Sequence, residues 1–259
     1  MREALGIVAT SVALAPALVA AQLSDAATRN ALGIPGALAA LGIAEQPREV
    51  VRLTGGRSSA VYQLRFARTT LVLKHALAGG SVLALGARIC GPQPYPVELS
   101  PSARVRREAA ALGRLAGAGI VAPAVIAANP AAGLLLLEFL AGSPLPTTLA
   151  RPGAAARIRG YRRALDAAHA AGLVLNDAHP GNALVDGDRI ALIDLEFAEC
   201  SADPDRRAFD LAYAAAYFTP AERAVVLGEP DVRIAAAARK LAGYAPLFAY
   251  EAGQQRRAA

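Results

Sequence analysis

Three side chains suited to phosphate and metal chemistry fall within one short stretch, VLNDAHPGNALVDGDRIALIDLEF, residues 174–197. Asp177 and Asn182 stand five apart in a loop that contains Pro180 and Gly181, and Asp194 follows a short apolar run. Carboxylate and amide carbonyl oxygens are the hard ligands that Mg²⁺ prefers, and an incomplete protein shell leaves room for waters and phosphate oxygens. Asn182 and Asp194 are therefore candidate metal ligands. Asp177, on the same loop but outside that pair, is left to meet a hydroxyl.

The local elements have to bring these groups together. Ala183–Val185 and Arg189–Ile193 are short apolar runs around Asp186-Gly187-Asp188. Asp-Gly between apolar runs predicts a hairpin, because glycine accepts the positive φ of the turn. A hairpin folds its outer ends back on each other, which carries Asn182 toward Asp194.

A second constellation precedes this one. Val50–Leu53, Ala60–Phe66 and Thr70–Ala76 read as strands, and Thr54-Gly55-Gly56-Arg57-Ser58-Ser59 lies between the first two. Backbone N–H groups in such a Gly/Ser loop can cradle phosphate oxygens, with Gly55, Gly56, Ser58 and Ser59 as the contacts. The loop is not a Walker A, since no Gly-Lys-Ser/Thr comes after it. Lys74 sits near the end of the aliphatic run Leu71-Val72-Leu73, where a buried ammonium needs an anionic partner to offset its desolvation.

Glu108 is the candidate partner. Ser100-Pro101-Ser102 supplies a helix start, and Val105, Ala109, Leu112 and Leu115 recur at helical spacing, with Glu108 beside that face. Residues 77–99 read as a long loop. Gly119 ends the helix, Val121–Ala127 and Leu134–Glu138 are two further strands, and residues 138–142 link them to the rest of the chain. Glu138 and Leu140 place backbone groups where an adenine ring would hydrogen-bond between aliphatic side chains.

The remainder is mostly helical. Residues 154–171 form an Ala/Arg helix on which His169 is a packing or hydrogen-bonding histidine, and His179 either touches phosphate or braces its turn. Asp203-Pro204-Asp205 is a turn, and residues 206–218 form a helix whose Asp210 braces the backbone of the 177–182 loop. Gln254–Ala259 is a short basic tail expected to fray.

Composition bounds the class. The chain has 259 residues, 54% hydrophobic, with a formal net charge of +6 and a pI near 9.7. Such a chain buries an ample aliphatic core, and its basic excess suits either polyanionic partners such as nucleotide phosphates or RNA, or the ordinary solubility role of modest net charge. Cys90 and Cys200 make neither a disulfide framework nor a zinc pattern, so the reading is a reducing, cytoplasmic compartment. The uncharged run Ala4–Ala21 loosely imitates a signal peptide, but Glu3, Thr10, Ser11 and Pro16 make it a poor one. It reads as a packed helix with no membrane span. Residues 1–45 as a whole read as Ala-rich helices broken at Pro16 and near Gly33-Ile34-Pro35-Gly36.

Taken in order, the Gly/Ser loop, Lys74, Glu108, the 138–142 link, Asp177 with Asn182, and Asp194 resemble the protein-kinase-like superfamily over residues 50–218. The resemblance implies an α+β bilobal fold: a helical extension (1–45), a five-stranded N-lobe with one key helix (46–141), and a compact helical C-lobe (142–259). It also implies an ATP-dependent phosphotransferase. Lys74 would hold the α/β-phosphates and pair with Glu108, Asp177 would take the proton of the acceptor hydroxyl, and Asn182 and Asp194 would hold Mg²⁺ or Mn²⁺.

Two branches of the superfamily compete. The Arg-Arg-Glu helix and RRAFDLAY look like the small atypical kinases of the RIO family and the KEOPS tRNA-modification complex. DAHPGN, the Asp-Gly-Asp turn and Asp194-Leu195-Glu196 look like aminoglycoside and choline phosphotransferases. Only about 37 residues separate Leu140 from Asp177, too few for the helical insertion that builds the small-molecule pocket, which favours a serine/threonine protein acceptor. A non-catalytic nucleotide-binding scaffold or an ATPase subunit of an RNA-modification complex is the reading from a different class. Leu175-Asn176-Asp177 replaces the common His-Gly/Arg-Asp, and Glu196 replaces the glycine of Asp-Phe-Gly, so loop bracing is expected to differ.

Overall fold

The computed structural model describes residues 33–53, 59–77 and 100–257. Gly55, Gly56, Ser58, Cys90 and most of the N-terminal extension and the 77–99 loop lie outside the described residues. The chain divides into two compact units. The first takes the described residues up to Ala109 together with Ala124–Phe139, and the second takes Ala110–Pro123 and those from Leu140 onward.

In the first unit, β1 (Glu49–Leu53), β2 (Ser59–Arg65), β3 (Thr70–Ala76), β4 (Val125–Asn129) and β5 (Leu134–Glu138) form an antiparallel sheet in the order β1-β2-β3-β5-β4. Successive side chains of a strand point to opposite faces. Leu64, Leu73, Leu134 and Leu136 pack on one face against Ala37 and Leu38 of α1 (residues 33–40). Burying each of these leucines contributes ~1.5–3 kcal/mol. This helix is the described part of the expected extension, and its place is a sheet face. The Asn129 side chain donates to Ala40 O at 2.9 Å and ties its end down. The fourth strand begins later than expected, at Val125 rather than Val121. Pro123 has no N–H for a ladder, and Val121 instead accepts from Leu192 N–H, 3.1 Å, within the second unit.

Helix α2 (Pro101–Gly117) contributes Pro101–Ala109 to the first unit and its last turns to the second. The second unit then runs through β6 (Ser143–Pro144), α3 (Leu145–Thr148), α4 (Ala154–Ala170), β7 (Leu173–Val174), β8 (Ala183–Asp186), β9 (Arg189–Leu192) and β10 (Glu199–Cys200). Four more helices complete it: α5 (Pro204–Ala216), α6 (Pro220–Leu227), α7 (Val232–Leu241) and α8 (Ala245–Arg257). The start of α5 is two residues earlier than the sequence suggests, because Pro204 fits the first helical position and Asp203 caps it by accepting from Asp205 N–H. Tyr213 of α5 makes ring contacts with Phe209, with Tyr217 at the helix end and with Phe248 of α8, which Tyr217 also meets. The expected frayed tail is instead helical through Arg257. No described helix is long and apolar enough to cross a membrane.

Candidate active site

In the first unit the lysine and glutamate meet. Lys74 and Glu108 are 8% and 3% exposed, and the Lys74 ammonium donates to both carboxylate oxygens at 2.7 Å. The pairing comes from alternation: Leu73 faces the leucine core, so Lys74 faces the other side, opposite Val61 and Leu135. Ser59 opens β2, buried, directly after the Gly/Ser loop. Glu138 ends β5 with its N–H given to Ala124 O and its carboxylate accepting from Ala124 N–H. Leu140 is half-buried in the second unit.

In the second unit the hairpin forms as expected. Asp186 pairs with Arg189 and Ala183 with Leu192, while Gly187 takes φ +57° in the two-residue turn. Asn182 O accepts from Ile193 N–H at 2.9 Å, so the amide and the residue before Asp194 lie side by side. Asn182 Nδ2 donates to Asp177 O at 3.3 Å and to Asp177 Oδ2 at 3.2 Å, turning its carbonyl oxygen the opposite way. Asp177 and Asn182 are thus brought together, with Asp194 at the end of the same hairpin.

This loop is held against its own preferences. Among the described residues only Asn176 (φ +58°) and Asp194 (φ +57°) are non-glycine residues in the left-handed region. Each such residue costs on the order of 1–3 kcal/mol, and the surroundings must impose it. Asp210, wholly buried, accepts from Leu175 N–H at 2.6 Å and Asn176 N–H at 2.8 Å, with His169 Nε2 at 3.1 Å. Asn176 donates to Phe197 O at 2.8 Å and accepts from Arg206, which also pairs with Glu199. Tyr161 donates to Ala178 O at 2.9 Å.

Charge is crowded here. Burial pushes the Asp177 carboxyl up to about 7, the negative charges of Asp194 and Glu196 add to the rise, and hydrogen bonds from Tyr213 and Asn182 oppose it. Burial likewise raises Tyr161 and Tyr213 well above the ordinary phenol range, so both stay protonated donors.

The sequence profile of the phosphotransferase enzyme family matches residues 49–171 and 147–254. The chain belongs to that family. It is a phosphotransferase, a kinase with an alcohol group as acceptor. Among solved structures, a choline/ethanolamine kinase family protein from Mesorhizobium loti is 18% identical, with a TM-score of 0.52 over 90% of this chain and 92% of that one. The phosphotransferase therefore has the kinase-like α+β fold. WaaP, solved in complex with acyl carrier protein, is 18% identical with a TM-score of 0.47, covering 82% of this chain and 90% of that one. No curated protein matches the sequence.

Two residues of the phosphotransferase escaped sequence reasoning. Arg104, one turn before Glu108 on α2, has no exposed surface, and donates to Leu77 O at 3.1 Å and to Ser59 Oγ at 2.9 Å. It ties one end of the β2–β3 pair, where Ser59 lies opposite Ala76, to the helix that carries Glu108. Its i, i+4 spacing to Glu108 and Leu112, which share the inward face, was the one signal that could have found it. The other is Gln255, in the stretch expected to fray.

Proposed function

We infer that this phosphotransferase moves the γ-phosphate of ATP to the hydroxyl of a small molecule, with Asp177 taking the hydroxyl proton. The observation that carries the reading is the Asp177 carboxylate, held by Asn182 on the loop that Asp210 braces, with a raised pKa. A general base near neutrality combines the correct charge state with proton affinity. Lys74 binds the α/β-phosphates, held straight by Glu108. Gly55, Gly56, Ser58 and Ser59 cradle phosphate oxygens, and the backbone near Glu138 and Leu140 receives adenine.

Asn182 and Asp194 hold the divalent cation. The donor set fits: both offer oxygen, and the mutual repulsion of Asp177, Asp194 and Glu196 is the kind of charge a cation offsets. Mg²⁺ or Mn²⁺, when bound, neutralises charge on the phosphate oxygens. The protein's own part is positioning. Lys74 fixes the donor, Asp177 orients and deprotonates the acceptor, and the strained backbone at Asn176 and Asp194 keeps the oxygens aimed before substrate arrives.

A small-molecule acceptor is supported by the family match through the whole 174–197 stretch, and by its DAHPGN and Asp-Leu-Glu segments. A serine or threonine of a protein is the second reading. Between Leu140 and Asp177 only β6, the four-residue α3, α4 and β7 are present, which leaves no helical insertion to wall a small pocket. We place the enzyme in the cytoplasm, where ATP is supplied and the exposed thiol of Cys200 stays reduced.

Radiolabelled ATP with Mg²⁺ or Mn²⁺ tests the reading. Label should pass to a member of a panel of aminoglycosides and amino alcohols. Transfer to a basic protein alone would move the acceptor to the second reading. Nucleotide binding with no transfer to any acceptor would overturn both and leave a scaffold, and copurification with a tRNA-modifying protein would then point to an RNA-modification complex.

A further inference from the structure

The catalytic loop is tied to the C-terminal helix by a contact whose atoms can be assigned from chemistry. Gly181 N–H donates to His179 Nδ1 at 2.9 Å. That nitrogen therefore carries a lone pair, and a neutral imidazole must then carry its hydrogen on Nε2. Nε2 lies 2.8 Å from the end of the Gln255 carboxamide on α8. Two N–H donors do not face each other at that distance, so the carboxamide oxygen is the atom that meets the ring.

The consequence runs inward. With Nε2–H donated to Gln255, Nδ1 is committed to Gly181 N–H, which fixes the single turn Pro180–Asn182 and with it the amide that bonds Asp177. Gly181 has no room for another residue: a Cβ there would lie 2.7 Å from His179 Nδ1. Glu251, one turn before Gln255 on the same face of α8, makes a second tie. Tyr217 OH lies 3.0 Å from Glu251 Oε2 and 3.1 Å from Tyr213 OH, and Tyr213 bonds Asp177. The His179 ring packs edge-on to Tyr217 with centroids 4.2 Å apart.

The geometry points to Gln255 as a positioning residue of the phosphotransfer reaction: accepting from His179 Nε2–H, it sets the tautomer and ring orientation that hold the Asp177–Asn182 loop in its working shape. The inference rests on the catalytic role given to that loop above. Its ties are all within the second unit.

The test uses the full chain with ¹⁵N-labelled histidine. Only three histidines are present, and the His179 signals are those lost in His179→Gln. The wild type should show His179 as the Nε2–H tautomer. Gln255→Leu should speed hydrogen exchange at the Gly181 amide and lower kcat ~10-fold, about what one hydrogen bond contributes, with KM for ATP unchanged within about twofold. Gln255→Glu, which keeps an acceptor oxygen, should restore most of kcat and the protection of Gly181. Arg256→Ala, next to Gln255 on α8, breaks the pair that Arg256 makes with Glu222 of α6 and should leave kcat as it is. An Nδ1–H tautomer in the wild type, or equal losses in Gln255→Leu and Gln255→Glu, would overturn the inference. If the wild type transfers no phosphate at all, the function reading fails, while the tautomer and the Gly181 exchange rates still decide this one.

Discussion

Charge is handled in opposite ways by the strand–helix pair of the first unit and the loop of the second. Lys74 and Glu108 are unlike charges on regular elements, buried and bonded to each other at two points. Asp177, Asp194 and Glu196 are like charges on irregular backbone, two of whose residues sit at positive φ. The first arrangement sets a cation against a carboxylate, while the second holds its groups in a costly state through outside braces such as Asp210 and Tyr161. Strain persists in a loop only where the surrounding structure over-determines it, and it clusters at active sites, so stability and activity should respond differently to mutation in the two regions.

The largest effect expected is on rate. Asp177→Ala should lower kcat by ~10²–10⁴-fold, the range for a positioned acid–base group, while the affinity for ATP measured by nucleotide titration stays near the wild-type value. Unchanged turnover would remove Asp177 from the chemistry and reduce the loop's crowding to a structural accident. Next comes stability in the first unit. Glu108→Ala leaves the Lys74 ammonium buried without its carboxylate, and breaking one side of such a pair costs ~3–5 kcal/mol. A denaturant midpoint indistinguishable from the wild type would mean that the pair is not the closed unit its geometry suggests.

The same contrast explains what could be read from the chain alone. The hairpin was legible because Asp-Gly between apolar runs is a local signal, and Lys74 with Glu108 because a cation in an aliphatic strand demands a partner. Asp210 reads as a brace one turn after Arg206, although the Leu175 and Asn176 N–H groups that it meets lie 35 and 34 positions earlier and only the fold brings them there. Arg104 was not legible, since arginine ordinarily marks surface, and only the folded sheet reveals the carbonyl of Leu77 and hydroxyl of Ser59 that absorb its donors. Gln255 was hidden for a similar reason. A polar Gln-Gln-Arg-Arg end reads as fraying, and nothing local shows that a histidine 76 positions earlier stands opposite. The later start of β4 was readable in principle from Pro123, whereas the left-handed backbone at Asn176 and Asp194 is imposed by tertiary ties and has no sequence signature beyond the tolerance of Asn and Asp for it.

The smallest effect is the one that separates the two regions most cleanly. The Asp177 carboxyl titrates near 7 when folded and near 3.8 otherwise. Between those values the folded protein binds a proton that the unfolded chain does not, so stability falls as pH rises through this window. Above pH 7 the full cost is present, and below about 4 it is gone. Asp177→Asn removes the charge, so in the presence of EDTA it should melt higher than the wild type at pH 8, with each 1 kcal/mol recovered worth ~2–4 °C in a domain of this size. The gain should shrink as pH falls toward 4. Thermal melts at pH 8, 6 and 4 measure it directly. A variant that is less stable than the wild type at pH 8, as Glu108→Ala should be at every pH in this range, would show that the second unit's charges are compensated in the same way as the first unit's.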